Sequence, residues 1–173
     1  MSRHTPKAAL VPSEFFDAGS AREILSRTVL LDKDDKVEYI SLPEFSAQLV
    51  YSLSDNPATD PALSSDAKDQ DEPKDRLPEL YNVLKAVSGI SEHNKIVASY
   101  GDGVLSLAIA QGENLLLANV FQAADFTTAE YFLFMAVRKL QLNPEVSTVH
   151  FLTALSDEEE MSLYRYFKSV EQR

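Results

Sequence analysis

Two glycines flank a carboxylate at Gly101-Asp102-Gly103, the most compact grouping in this chain that could do chemistry. The same three residues are what an ordinary hairpin bend demands. Asp125-Phe-Thr-Thr128 reads as the start of a helix, a place where anions can bind. Thr127 and Glu130 also fit a helix cap, and capping is the plainer role for them. The three histidines are scattered: His4 in a terminus expected to fray, His93 in a loop and His150 in a strand. No two of them have metal-ligand spacing, and His150 reads as a core or sheet-face residue. The chain has no cysteine, which removes disulfides, thiolate catalysis and thiolate metal sites and fits a reducing compartment. No nucleophile elbow is present. Tyr131, Phe132 and Phe134 read as core. The sequence therefore shows no catalytic motif and no metal-ligand spacing, and leaves open only a Ser–His–Asp arrangement assembled by folding.

The 27 acidic and 16 basic residues give a net charge of −11. Such a surface repels nucleic acid and anionic lipid over a Debye length of roughly 8–10 Å. The densest basic run, Lys68, Lys74 and Arg76, is too scattered to form a nucleic-acid stripe. No stretch approaches the ~20 apolar residues of a membrane helix. The basic start, Met1 to Lys7, is followed by no apolar signal core. The default address is the cytoplasm.

Residues 54–76 are acidic, carry three prolines and hold one large apolar residue, Leu63. They divide the chain, because such a segment cannot bury enough surface to offset its ordering entropy. We expect a disordered loop or linker there. Before it, a short helical turn is expected around Phe15 and Phe16, and Ser20 to Glu23 spells a capping box opening a helix of about two turns. Strands are expected at Val37–Leu42 and Phe45–Leu53, with Pro43 as punctuation. After it, Leu77, Leu80, Tyr81, Leu84 and Val87 line one face of a helix that Gly89 stops.

Three strands follow, over Ile96–Tyr100, Val104–Ala110 and Leu115–Phe121. Their turns are short enough to make them antiparallel neighbours. In the second strand Leu105, Leu107 and Ile109 share one face and small residues the other. Thr127 to Glu130 is a second capping box, and its helix, apolar nearly all round from Tyr131 to Val137, is expected to be buried on most faces. Ser147–Leu152 suits a strand. Ser156 to Glu159 is a third capping box, opening a last helix with Leu163, Tyr166, Phe167 and Val170 on its apolar face.

Three antiparallel strands, then helix, strand, helix, is the opening order of a ribonuclease H-like unit, which actin-like ATPases carry twice. The run Leu115 to Phe134, with Leu140-Gln-Leu-Asn-Pro144 and Ala9 to Asp17, resembles an uncharacterised bacterial family of unknown function. That family is assigned an actin-like ATPase fold and is distantly similar to the pilus-assembly protein PilM. The resemblance implies an α/β fold with a mixed sheet. Its second half would be βββαβα, at residues 77–173, and its first half, at 1–53, incomplete. Family members are longer, so the opening strands and first phosphate loop are expected to be missing. In actin-like ATPases a second phosphate loop joins the first two strands of the second half. The matching stretch here is Ser99 to Val104, which implies Gly101, Asp102 and Gly103 as candidate phosphate-loop residues, with ATP and magnesium as the ligands they would take. It departs from the pattern. The acid expected at the strand end is Ser99 or Tyr100 here, and no Thr follows the glycines. The expected function is a non-catalytic actin-like scaffold or interaction domain, with a protein partner or self-association. A nucleotide-binding ATPase is the alternative.

Overall fold

In the computed structural model, which describes residues 2–53 and 77–173, the strands are β1 (Ala8–Pro12), β2 (Val37–Leu42), β3 (Ala47–Ser52), β4 (Asn94–Gly101), β5 (Val104–Gln111), β6 (Asn114–Gln122), β7 (Thr148–Phe151) and β8 (Ser169–Gln172). The helices are α1 (Ala21–Ser26), α2 (Glu79–Ser88), α3 (Phe126–Lys139) and α4 (Asp157–Tyr164). The acidic segment 54–76 lies outside the described residues.

The alternation in β5 organises the molecule. Leu105, Leu107 and Ile109 enter one core with Leu133, Val149, Phe151 and Leu163, beneath α3 and α4. Ala108 and Ala110 face the other way, into a second core built on Leu80, Val83, Leu84 and Val87 of α2. Small side chains on that face let the helix sit close to the sheet. Leu49 and Tyr51 of β3 enter the same core, so both sheets bury apolar side chains beside this helix. Val50, on the opposite face of β3, packs with Leu25 of α1. α3 and α4 cover one face of the large sheet, α2 and the small sheet share the core on its other face, where β1 lies beside β6, and α1 packs on the opposite face of the small sheet.

The large sheet has the order β6-β5-β4-β7-β8. β4, β5 and β6 run antiparallel to their neighbours, as their short turns require, while β7 joins β4 in parallel and β8 joins β7 in parallel. Two crossovers, through α3 and α4, make those parallel pairs possible. The expected βββαβα order is therefore present, and one further strand completes it.

Several expectations fail locally, each for a physical reason. The last helix stops at Tyr164, and Val170 lies in β8, paired with Val149. A β-branched residue beside an otherwise open strand gains more from the ladder than from another helical turn. Ser20 makes no cap hydrogen bond, because it ends a 3-10 turn with φ −107° and ψ 8° and so lacks the extended backbone a cap needs. The cap of α3 is Asp125, extended at φ −144°, whose carboxylate accepts from the Thr128 amide at 2.8 Å. Thr127 falls inside the first turn, and Glu130 accepts instead from the Ser162 hydroxyl at 3.1 Å. That helix is not buried on most faces: Tyr131 is 62% and Met135 39% exposed. The third capping box forms as expected, with both Ser156 and Glu159 engaged. β1 was not expected; it forms because Ala8 to Pro12 pairs along β3, with Ala8 and Leu10 in one core and Ala9 and Val11 in the other.

Candidate functional site

β4 and β5 meet at a two-residue bend in which Asp102 (φ 51°) and Gly103 (φ 71°) are both left-handed. This is the hairpin geometry that Asp-Gly favours. The bend reaches the rim of a cleft of about 920 Å³. Asp102 and Gly103 line it on one side, and the N-terminal segment (Arg3 to Lys7) with Asp32 lines it on the other.

That N-terminal segment does not fray. The Arg3 amide donates to Leu77 O at 3.0 Å, and the Glu79 amide donates to Arg3 O at 2.8 Å. The Thr5 hydroxyl donates to Ser52 O at 2.9 Å. His4 is thereby held over the hairpin. A Cβ built at Gly101 would lie 2.6 Å from His4 Nε2 and 2.8 Å from its Cδ2. Gly101 therefore gives up its side chain to an imidazole of the same chain.

Lys7 is the cleft cation with the best-defined partners. Its ammonium donates to Asp32 at 2.9 Å and to the buried Asp35 at 2.5 Å. The hydrogen bond to Asp35 leads in raising its pKa, against the pull of burial, with Asp32 adding to the rise. Arg22 fixes the same loop by donating to the carbonyls of Asp35 and Asp32. The charge of Lys7 is thus already neutralised by two carboxylates.

Two residues before Gly101, the buried Ser99 hydroxyl donates to Glu79 Oε1 at 2.6 Å. The other carboxylate oxygen of Glu79 accepts from Asn82 Nδ2 at 3.1 Å and from the Ser2 hydroxyl. An acid does reach the end of β4, then, but it comes from the first turn of α2. Three hydroxyl or amide donors occupy it. Neither Glu79 nor His4 was legible as part of this site. Glu79 looks like an ordinary first-turn acid after Pro78, and nothing in the spacing ties residue 4 to residue 101.

The remaining candidates disperse. Asp125 serves as a cap, and its hydrogen bonds with Thr128 hold its carboxyl below the usual range. His93 lies in the turn before β4, beside Gly112. His150 is fully buried on β7, with Nδ1 3.2 Å from Glu171 and Nε2 3.5 Å from Glu92. Neither contact has hydrogen-bond alignment. Among the described residues no group of three or more His, Asp or Glu is placed to hold a metal ion. No helix among them is long and apolar enough to cross a membrane.

A family described as protein of unknown function (DUF3822) matches residues 3–170. Among solved structures, the chain is similar to a Bacteroides thetaiotaomicron VPI-5482 protein described as having an actin-like ATPase fold and unknown function. The TM-score is 0.73 at 18% sequence identity, over 98% of this chain and 66% of that one. At that identity the likeness speaks for the fold. No curated protein matches the chain.

Proposed function

The chain belongs to the DUF3822 family of proteins of unknown function, and we propose that it is a non-catalytic, actin-like protein-interaction domain, working in the cytoplasm of a bacterium. The observation that carries this reading is His4 on Gly101. In the proposed account the glycine that resembles a phosphate-loop residue is there to receive that ring. The other groups a nucleotide would call on support the same reading. Lys7 is spent on Asp32 and Asp35, and Glu79 on Ser99, Asn82 and Ser2. A net charge of −11 further disfavours a polyphosphate guest. Isothermal titration with Mg-ATP tests the proposal: no heat of binding is expected, and a micromolar, magnesium-dependent affinity would overturn it.

The cleft itself favours a second reading. Asp102 and Gly103 face a space of about 920 Å³ with Arg3 on its wall, large enough for a nucleotide. On this reading the protein binds ATP at Gly103, with Asp102 near the magnesium, and His4 moves aside. It requires that Asp102→Ala abolish nucleotide-dependent thermal stabilisation.

A further inference from the structure

The outer surface of α3 and the turns beyond it carry features that neither cleft nor core explains. Tyr131, Met135 and Arg138 fall at i, i+4 and i+7 and share an exposed helix face. That face leads into an apolar groove of about 550 Å³, walled by Phe134, Val137, Leu142, Pro144 and Tyr166, with Arg138 at its edge. Tyr166 is 51% exposed although its ring lies 4.5 Å from that of Phe134, which also stacks on Phe167. Contiguous apolar surface of this kind, left open to water, marks an interaction site.

The groove is built rigidly. α3 ends in a left-handed residue, Gln141 (φ 58°), whose amide donates to Arg138 O at 3.0 Å while the Leu142 amide donates to Val137 O at 3.0 Å. This paired closure satisfies the last carbonyls of the helix and folds Leu142 back against Val137. Pro144 O accepts from the Lys168 amide at 3.1 Å, which ties the far wall to the turn before β8. With these backbone groups engaged, the groove offers an occupant apolar surface and charge.

The charge is locally inverted. Arg138 lines the groove, Lys139 follows it, Arg165 precedes Tyr166, and Lys168 is bonded through its backbone to Pro144. All four are exposed, and none is in an ion pair among the described residues. The acid nearest in sequence to the walls is the exposed Glu145. In a chain with 27 acids and 16 bases, a cation on the groove wall with three more next to wall residues, against the single acid Glu145, favours an anionic visitor.

Building on the interaction-domain reading above, we propose that this groove docks an acidic segment of a partner protein that carries an apolar anchor. The anchor seats between Phe134 and Tyr166, and flanking carboxylates meet Arg138, Lys139, Arg165 and Lys168. Aromatic and Arg residues at the centre of such a surface are the ones expected to carry the affinity.

The test is selection of random linear peptides on the full chain, followed by fluorescence anisotropy with the enriched peptides. Enriched sequences are expected to place Asp or Glu beside Leu, Phe or Trp, and to bind more weakly as salt rises. Arg138→Glu, an exposed change, is expected to weaken them on the order of tenfold or more, and Tyr166→Ala to do the same. Lys33→Glu, an equal charge change on another element, is expected to leave affinity unchanged. Enriched peptides that lack acids, or that bind Arg138→Glu as tightly as wild type, would overturn the groove while leaving an interaction role elsewhere intact. Absence of any enriched peptide would count against both. A concentration-dependent dimer by light scattering that Tyr166→Ala dissolves would assign the groove to a second copy and overturn the acidic-segment proposal.

Discussion

The imidazole of His4 occupies the space that a side chain at residue 101 would need, with Nε2 2.6 Å from the position of a Cβ there. Gly101→Ala is therefore expected to displace the His4 ring and cost about 0.5–1.5 kcal/mol, the cost of pushing a side chain off its rotamer. In a His4→Ala background the same substitution is expected to cost far less. Chemical denaturation of the four proteins checks this. Equal costs in both backgrounds would mean that the glycine is required for something other than the ring.

A second pairing, Ser99 with Glu79, links the end of β4 to the start of α2. Ser99→Ala removes one of the three donors from a buried carboxylate and is expected to destabilise by about 1–3 kcal/mol. Glu79→Gln keeps the shape and changes the charge, so it should partly restore the double variant. Thermal unfolding of the single and double variants measures the coupling.

His150 gives the fold a pH dependence with a definite sign. Burial lowers its pKa, outweighing the attraction of Glu92 and Glu171, and Arg173 adds to the lowering. The folded protein thus keeps the ring neutral at a pH where the unfolded chain, with a histidine pKa of about 6.5, has taken up a proton. Below that value the unfolded state binds more protons, so stability falls as pH drops and is recovered as pH rises through the window. His150→Gln is expected to flatten this part of the profile, read as the denaturation midpoint across mildly acidic pH. An unchanged slope would assign it to other groups.

Close approach of α2 depends on the small face of β5. Ala108 is fully buried against that helix. Ala108→Leu is expected to cost about 1–3 kcal/mol by forcing helix and sheet apart. On the opposite face, Leu107→Met conserves volume and should cost less, about 1.5 kcal/mol at most. Denaturant midpoints for the two variants compare them directly.

How much of this was legible before folding differs by region. The hairpin-led sheet was readable because β5 alternates large and small residues and its bends carry Asp-Gly and a second glycine at Gly112. The third capping box forms as its residues spell it because Ser156 enters α4 from extended backbone (ψ 161°). Ser20 and Thr127 have equally good spellings, but their caps depend on the backbone entering the helix, which residue spacing does not encode. β1 and β8 are short, and each exists only because a distant strand offers a ladder. The site was legible only in part, since the bend could be located but its neighbours could not. His4, Glu79 and Asp35 arrive there from separate segments through tertiary packing, and none has a spacing that announces it.

Thermal unfolding of the wild type and Asp102→Ala, with and without millimolar Mg-ATP, tests the central claim most directly. A ligand at about 100 times its Kd stabilises a native state by about 2.7 kcal/mol, which is a shift of several degrees for a chain of this size. The account predicts that neither protein's Tm moves. A rise of that size in the wild type, lost in Asp102→Ala, would contradict it.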